Sequence, residues 1–229
     1  MTDSQTAAFG VSYEFRPGKP RPLPLIERLH ELFEIIELDG SLWLKRKQKN
    51  GSSREDKIYN SRFAGHIAGF RGSKGRLITS VDYTHYFCSR LIFAMMNGYD
   101  PGDALIDHAD RNFDMNRAIN LRPSTNSQNL HNRGPQINNT SGYKGVYFNK
   151  ERKKWYCKIH VMSKIYSFGY FESIEHAARI YRAASVILVR EFSIHWPEGI
   201  DDVRRIHKES PNFLLERFGN SHLSLIGED

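Results

Sequence analysis

Cysteine is scarce in this chain, and the scarcity closes off several kinds of chemistry. The two cysteines, Cys88 and Cys157, stand far apart and form no Cys-x-x-Cys pair, so neither a disulfide framework nor a structural zinc site is expected. Long apolar runs are missing too: no stretch is long enough to span a bilayer, and the polar N-terminus has no signal-peptide pattern. No membrane partner is expected, and the setting expected is intracellular and reducing. Acidic charge is the third shortage. Asp plus Glu number 26 against 33 Lys plus Arg, a formal net charge of +7 over 229 residues. That excess favours a polyanion, nucleic acid being the usual one, although ordinary soluble proteins also carry basic surfaces.

At this length the chain has room for one large or two small domains. Residues 1–24 are polar and proline-bearing and read as an extended arm. In 24–36, Leu25, Leu29, Leu32 and Ile36 recur at helical spacing and predict an amphipathic helix. Leu42 and Leu44 alternate after a turn, a strand pattern, and the charged KQKNGSSREDK that follows reads as a loop. Strands joined by hairpins are expected in 63–70 and 76–87, then a helix from Ser89 closed by Gly98. The segment 133–142 holds Gly, Pro, Asn and Ser without periodicity and reads as a linker between domains at 25–132 and 143–195. Beyond it, strands are expected at 144–149, 154–161 and 164–171. A helix over 173–189 is N-capped by Ser173. The tail, 196–229, has weak helical character and no assignable role. The fold class expected is α+β.

The densest chemistry lies in 105–129. Asp107 and His108 stand side by side on an apolar lead-in, and Asn116, Asn120, Asn126 and Asn129 follow. Asparagine fills cores poorly, but it shapes turns, orients an imidazole and offers a neutral oxygen to a metal. If Leu105–Asp110 is a strand, a loop leads to a second strand around Ile119–Arg122 and then to a helix. Asn120 would lie across from His108 and accept its N–H, leaving the other ring nitrogen as a base. Asn129, on the helix, would turn back towards Asp107, so that two oxygens share one divalent cation. These are the parts for hydrolysing a phosphodiester with one metal. Taken singly, each residue reads more simply as a turn or surface residue; the joint spacing in a basic chain is what points to a site.

The segment IDHADRNFDMNRAINLRPSTNSQN resembles the HNH (ββα-metal) endonucleases, in the form found among phage and intron-encoded homing enzymes. Their pattern falls here on Asp107, His108 and Asp110, on Asn116, Arg117, Asn120, Leu121 and Arg122, and on Asn129. The resemblance implies a nuclease domain with Asp107 and Asn129 as metal ligands, His108 as general base and Asn120 orienting it. The implied metal is magnesium or manganese, and Arg117 and Arg122 are assigned to DNA contacts. The implied activity is site-specific cleavage of double-stranded DNA by a monomer or weak dimer, in the cytoplasm (of the bacterial host if the chain is phage-encoded). Three positions depart from the pattern: Ser89 stands for a histidine, Arg111 for a turn glycine and Met115 for an aspartate. They motivate the rival reading, a non-catalytic DNA-binding protein or regulator derived from such a nuclease. An RNA-directed protein is a third.

In KWYCKIHV, alternate residues face opposite ways: Trp155, Cys157 and Ile159 suit a core, and Tyr156, Lys158 and His160 a basic outer face. The stretch 141–192 is similar to the APETALA2/ethylene-response-factor DNA-binding domain. The signature is met at Tyr143, Gly145, Val146, Lys154, Trp155, Gly169, Phe171, Ala177, Ala178 and Tyr181. The resemblance implies a three-stranded antiparallel sheet packed on one helix. Its DNA-facing positions are Lys144, Tyr147, Asn149, Lys158, His160, Ile165 and Ser167, with Arg152, Lys154 and Lys164 adding phosphate contacts. Base specificity does not carry over, because several of these positions differ in type from the plant members.

Overall fold

A computed structural model describes residues 20–72 and 75–227 of the chain. The expected N-terminal arm lies outside the described residues as far as residue 19. The chain divides into two compact units, Met1–Pro123 and Ser124–Asp229, both mixing helices with small sheets.

In the first unit, helix α1 (Ile26–Leu32) is shorter than its periodicity predicts. Phe33–Leu38 forms strand β1, paired antiparallel with β2 (Ser41–Arg46) from Phe33↔Arg46 to Leu38↔Ser41. Ile35 and Ile36 are β-branched and Asp39-Gly40 makes a tight two-residue turn at positive φ, so hairpin pairing wins over helical spacing. The expected loop after β2 contains α2 (Arg54–Arg62), capped by the Ser53 hydroxyl, which accepts from the Asp56 N–H. None of its residues is buried, so it carries no apolar stripe for a periodicity reading to find.

The strands β3 (Phe70–Arg71), β4 (Leu77–Val81) and β5 (Thr84–Phe87) form an antiparallel sheet. Helix α3 (Cys88–Asn97) follows directly, buried from Cys88 to Met95, and ends at Gly98 with φ 74, a left-handed cap that suits glycine. Leu91 and Ile92 of α3 centre a core that includes Leu29, Phe33, Leu44 and Val81. Two further strands, β6 (Leu105–His108) and β7 (Leu121–Ser124), pair with each other, and Ile106 and Leu121 anchor them in that core.

The second unit begins with α4 (Asn126–His131). The division therefore falls before this helix and not in 133–142, where composition alone puts it. Hydrogen bonds explain why: Met162 N–H reaches Ser127 Oγ at 3.4 Å and Ile194 N–H reaches the His131 carbonyl at 3.2 Å. Strands β8 (Val146–Asn149), β9 (Lys154–Val161) and β10 (Lys164–Phe171) form an antiparallel sheet in the order β10-β9-β8. Helix α5 (Ile174–Val189) is capped by Ser173 and packs on it through Ala177, Tyr181 and Ala184. The tail contributes α6 (Gly199–Glu209) and α7 (Pro211–Phe218), whose Val203, Ile206 and Leu214 are buried in the same core. Residues left without a role by sequence reading thus complete the unit's interior. No helix among the described residues is long and apolar enough to cross a membrane.

Candidate active site

Three side chains from distant parts of the first unit build the surroundings of His108. Arg90, buried in α3, donates from Nη2 to Asp100 Oδ1 at 2.9 Å and from Nη1 to the Ala104 carbonyl at 2.6 Å. It therefore fixes the turn that delivers the chain into β6. At the end of that strand Asp107 and His108 are 4% and 2% exposed. From β2, the Ser41 hydroxyl accepts the Asn116 N–H at 2.9 Å and donates to the Asp114 carbonyl, pinning the loop between β6 and β7.

That loop supplies the partner of the imidazole. His108 Nε2 lies 3.0 Å from Asn116 Oδ1. An amide oxygen accepts, so Nε2 carries the proton and Nδ1 is the basic nitrogen. The Phe113 ring meets the imidazole edge-on at 5.7 Å, and the Arg76 guanidinium lies 4.3 Å from the Phe113 centroid. Burial, and behind it the charge of Arg76, hold the His108 pKa below its ordinary value of 6.5, against an opposite pull from Asn116, Asp110 and Asp107. The ring is neutral at neutral pH.

The role expected of Asn120 is corrected by this geometry. Asn120 does not orient His108; its Oδ1 accepts the Asp110 N–H at 2.9 Å, and its Nδ2 donates to Asp110 Oδ1 at 2.9 Å and the Met115 carbonyl at 2.6 Å. The reason is local. The Ala109 N–H pairs with the Asn120 carbonyl, which turns the Asn120 side chain onto the bend after His108, while the loop brings Asn116 to the ring. In that bend Arg111, at the usual glycine position, has φ 66. Both asparagines fit the motif spacing, and only the three-dimensional path of the loop tells them apart.

The basic residues assigned to DNA fall into distinct groups. Arg122 donates from Nε and Nη2 to Asp107 Oδ2 at 3.1 and 3.0 Å, so it holds the carboxylate in place. Arg117 is exposed and donates to the Gly40 carbonyl. The expectation for Lys144 is overturned. It is largely buried, and its ammonium donates to three backbone carbonyls, of Leu130 at 2.8 Å, His131 at 2.9 Å and Arg133 at 2.6 Å. An ammonium has three N–H bonds, and all three are engaged.

The outer face of the second unit's sheet carries the rest. Tyr147, Tyr156 and Tyr170 are register partners across its three strands, with ring centroids 5.3 and 5.8 Å apart. Lys158 lies over the Tyr147 ring at 5.4 Å, and Arg152 over the Tyr170 ring at 4.7 Å. His160 is exposed beside them. Lys164 lies over Tyr166 at 4.8 Å, Lys154 pairs with Glu172 at 2.7 Å, and Asn149 closes the β8–β9 turn by accepting the Arg152 N–H at 2.8 Å.

Among the described residues, no three His, Cys, Asp or Glu side chains cluster as a metal-holding group. Cys88 and Cys157 are buried, and burial pushes both thiols up to about 12, so neither offers a thiolate. The motif residues bring oxygen donors: Asp107 in the first unit and Asn129, 7% exposed on α4, in the second. A carboxylate and an amide oxygen suit a hard, water-rich divalent cation.

Residues 86–131 match the family model described as HNH endonuclease. The chain is 35% identical over 92 residues to Protein 3.8 of Escherichia phage T7, a match covering 40% of this chain and 75% of that protein. No solved structure matches.

Proposed function

On the premise that this chain belongs to the family of Protein 3.8 of Escherichia phage T7 and carries an HNH endonuclease domain at residues 86–131, we propose that it is a metal-dependent DNA endonuclease of the homing type. The observation that carries this reading is a neutral, buried His108 with Nε2 held by Asn116, next to the buried carboxylate of Asp107. His108 Nδ1 takes the proton of an attacking water. Asn116 fixes the ring's tautomer and stabilises the imidazolium that forms. Asp107 and Asn129 are the proposed ligands of one magnesium or manganese ion, the roles their motif positions have in the resembling family. When bound, the cation supplies Lewis-acid stabilisation of the leaving 3′-oxygen and the phosphorane charge. Arg122 holds Asp107 in its rotamer, and the Asn120–Asp110 pair stiffens the bend behind His108.

The second unit's sheet is the proposed DNA-binding module, in line with its resemblance to the APETALA2 domain. The tyrosine ring faces are covered by one another and by Lys158 and Arg152, so the surface offers hydroxyls and cations to duplex phosphates and groove edges. Stacking of unpaired bases, the mode that suits single strands, finds few uncovered ring faces there. We place the protein in the cytoplasm of a bacterial host.

The test is incubation of the full chain with target-bearing duplex DNA and Mg²⁺ or Mn²⁺. Cleavage lost in His108→Ala, with DNA binding retained, is the expected result; unchanged cleavage removes His108 as the base. One observation favours the rival, non-catalytic reading: Asp107 Oδ2 already receives two N–H groups from Arg122. That reading predicts no strand breaks with any divalent metal and binding that withstands chelation.

A further inference from the structure

Helix α4, which carries Asn129, has six residues. A helix that short does not hold itself in water, so its order comes from outside. At its N-terminal end there is a capping box: Thr125 Oγ1 accepts the Gln128 N–H at 3.2 Å, and Gln128 Oε1 accepts the Thr125 N–H at 2.8 Å. At the other end, the last carbonyls of a helix have no partner within it and carry partial negative charge. There the Lys144 ammonium meets the Leu130, His131 and Arg133 carbonyls at 2.6 to 2.9 Å.

The reach of Lys144 is set by the sheet. The next residue, Gly145, has φ +69, and a Cβ there would sit 2.0 Å from Tyr181 Cε2 and 2.8 Å from the Lys158 carbonyl. The backbone is thus pressed onto the unit's core at this point, and Lys144 extends from it to the end of α4. A firmly seated sheet residue, and not a flexible surface lysine, closes the helix.

We propose that Lys144 is a positioning residue for metal binding: by clasping the C-terminal carbonyls of α4 it holds the helix, and with it the Asn129 amide, in the conformation that receives the cation. The proposal rests on the reading of Asn129 as a ligand. It makes the cation affinity of the nuclease domain depend on a residue of the sheet module, so the two functions are not separable by cutting the chain between them. Outer residues that orient metal ligands typically control affinity by 10- to 100-fold.

The experiment measures Mn²⁺ binding to the full chain by electron paramagnetic resonance, together with amide hydrogen exchange at residues 129–133. It compares wild type, Asn129→Ala, Lys144→Met and Lys144→Arg. Lys144→Met is expected to weaken Mn²⁺ about 10-fold and to speed exchange in α4 while β9 stays protected; Lys144→Arg restores part of both. Wild-type Mn²⁺ affinity in Lys144→Met, alongside loss in Asn129→Ala, overturns the positioning role and leaves Asn129 a ligand. Unchanged affinity in Asn129→Ala overturns the ligand reading, and the positioning role with it. Should Lys144→Met fail to fold, Lys144→Gln takes its place, and wild-type affinity there is equally fatal.

Discussion

The Nε2 of His108 lies 3.0 Å from the Oδ1 of Asn116, while Asn120 turns away to bind Asp110. Two asparagines of one motif thus have different work, and mutation separates them. Asn116→Ala frees the imidazole to take the wrong tautomer and is expected to lower kcat about 100-fold with little change in KM. Asn120→Ala removes three hydrogen bonds at a bend and is expected to cost about 2 kcal/mol of stability first. Steady-state kinetics and urea unfolding on both variants check the split; equal kinetic losses without destabilisation would contradict it.

Arg90 is expected to be among the most sensitive positions in the first unit. Arg90→Ala leaves Asp100 and the Gly102 and Ala104 carbonyls without their buried donor. A loss of about 3 kcal/mol is expected in chemical denaturation, from an uncompensated charge and unmet acceptors.

Gly145→Ala places a methyl group 2.0 Å from the Tyr181 ring at a left-handed φ. Ring and backbone must both shift. A destabilisation of about 3 kcal/mol is expected, read as a lowered thermal midpoint of the second unit.

Lys144 gives the stability a pH dependence of known sign. Burial, with Arg133 adding to it, lowers its pKa from 10.5 to about 8. Between those values the unfolded chain holds a proton that the folded chain has released, so this group makes stability rise as pH climbs from about 8 to 10.5. Below about 8 the ammonium is present in both states and the contribution is flat. Unfolding curves of wild type minus Lys144→Met across this window are expected to show the rise; a difference that is level or falls with pH contradicts it.

Much of the architecture could be read in the sequence because it is written in short-range signals. Ser173 and Thr125 announce helices through their own hydroxyls, Gly98 ends α3 through its φ, and alternation marks β9 and β10. Where signals competed, or had no apolar side, reading failed. Phe33–Ile36 fits helix and strand alike until β2 pairs with it, and α2 buries nothing. The tail's Val203, Ile206 and Leu214 are apolar points in a polar run, given meaning only by the surface of α5 and the sheet they cover.

The sequence by itself determined the chemistry: Asp, His and Asn at motif spacing in a basic chain, with sulfur ligands ruled out by the isolation of Cys88 and Cys157. Tertiary structure decided which atom meets which. It gave His108 to Asn116 instead of Asn120, Arg122 to Asp107, and Lys144 to the end of α4 instead of to a phosphate. Residue type sets what a side chain is able to bond. Its partner depends on which backbone groups the fold leaves unmet within reach, and those lie far away in sequence.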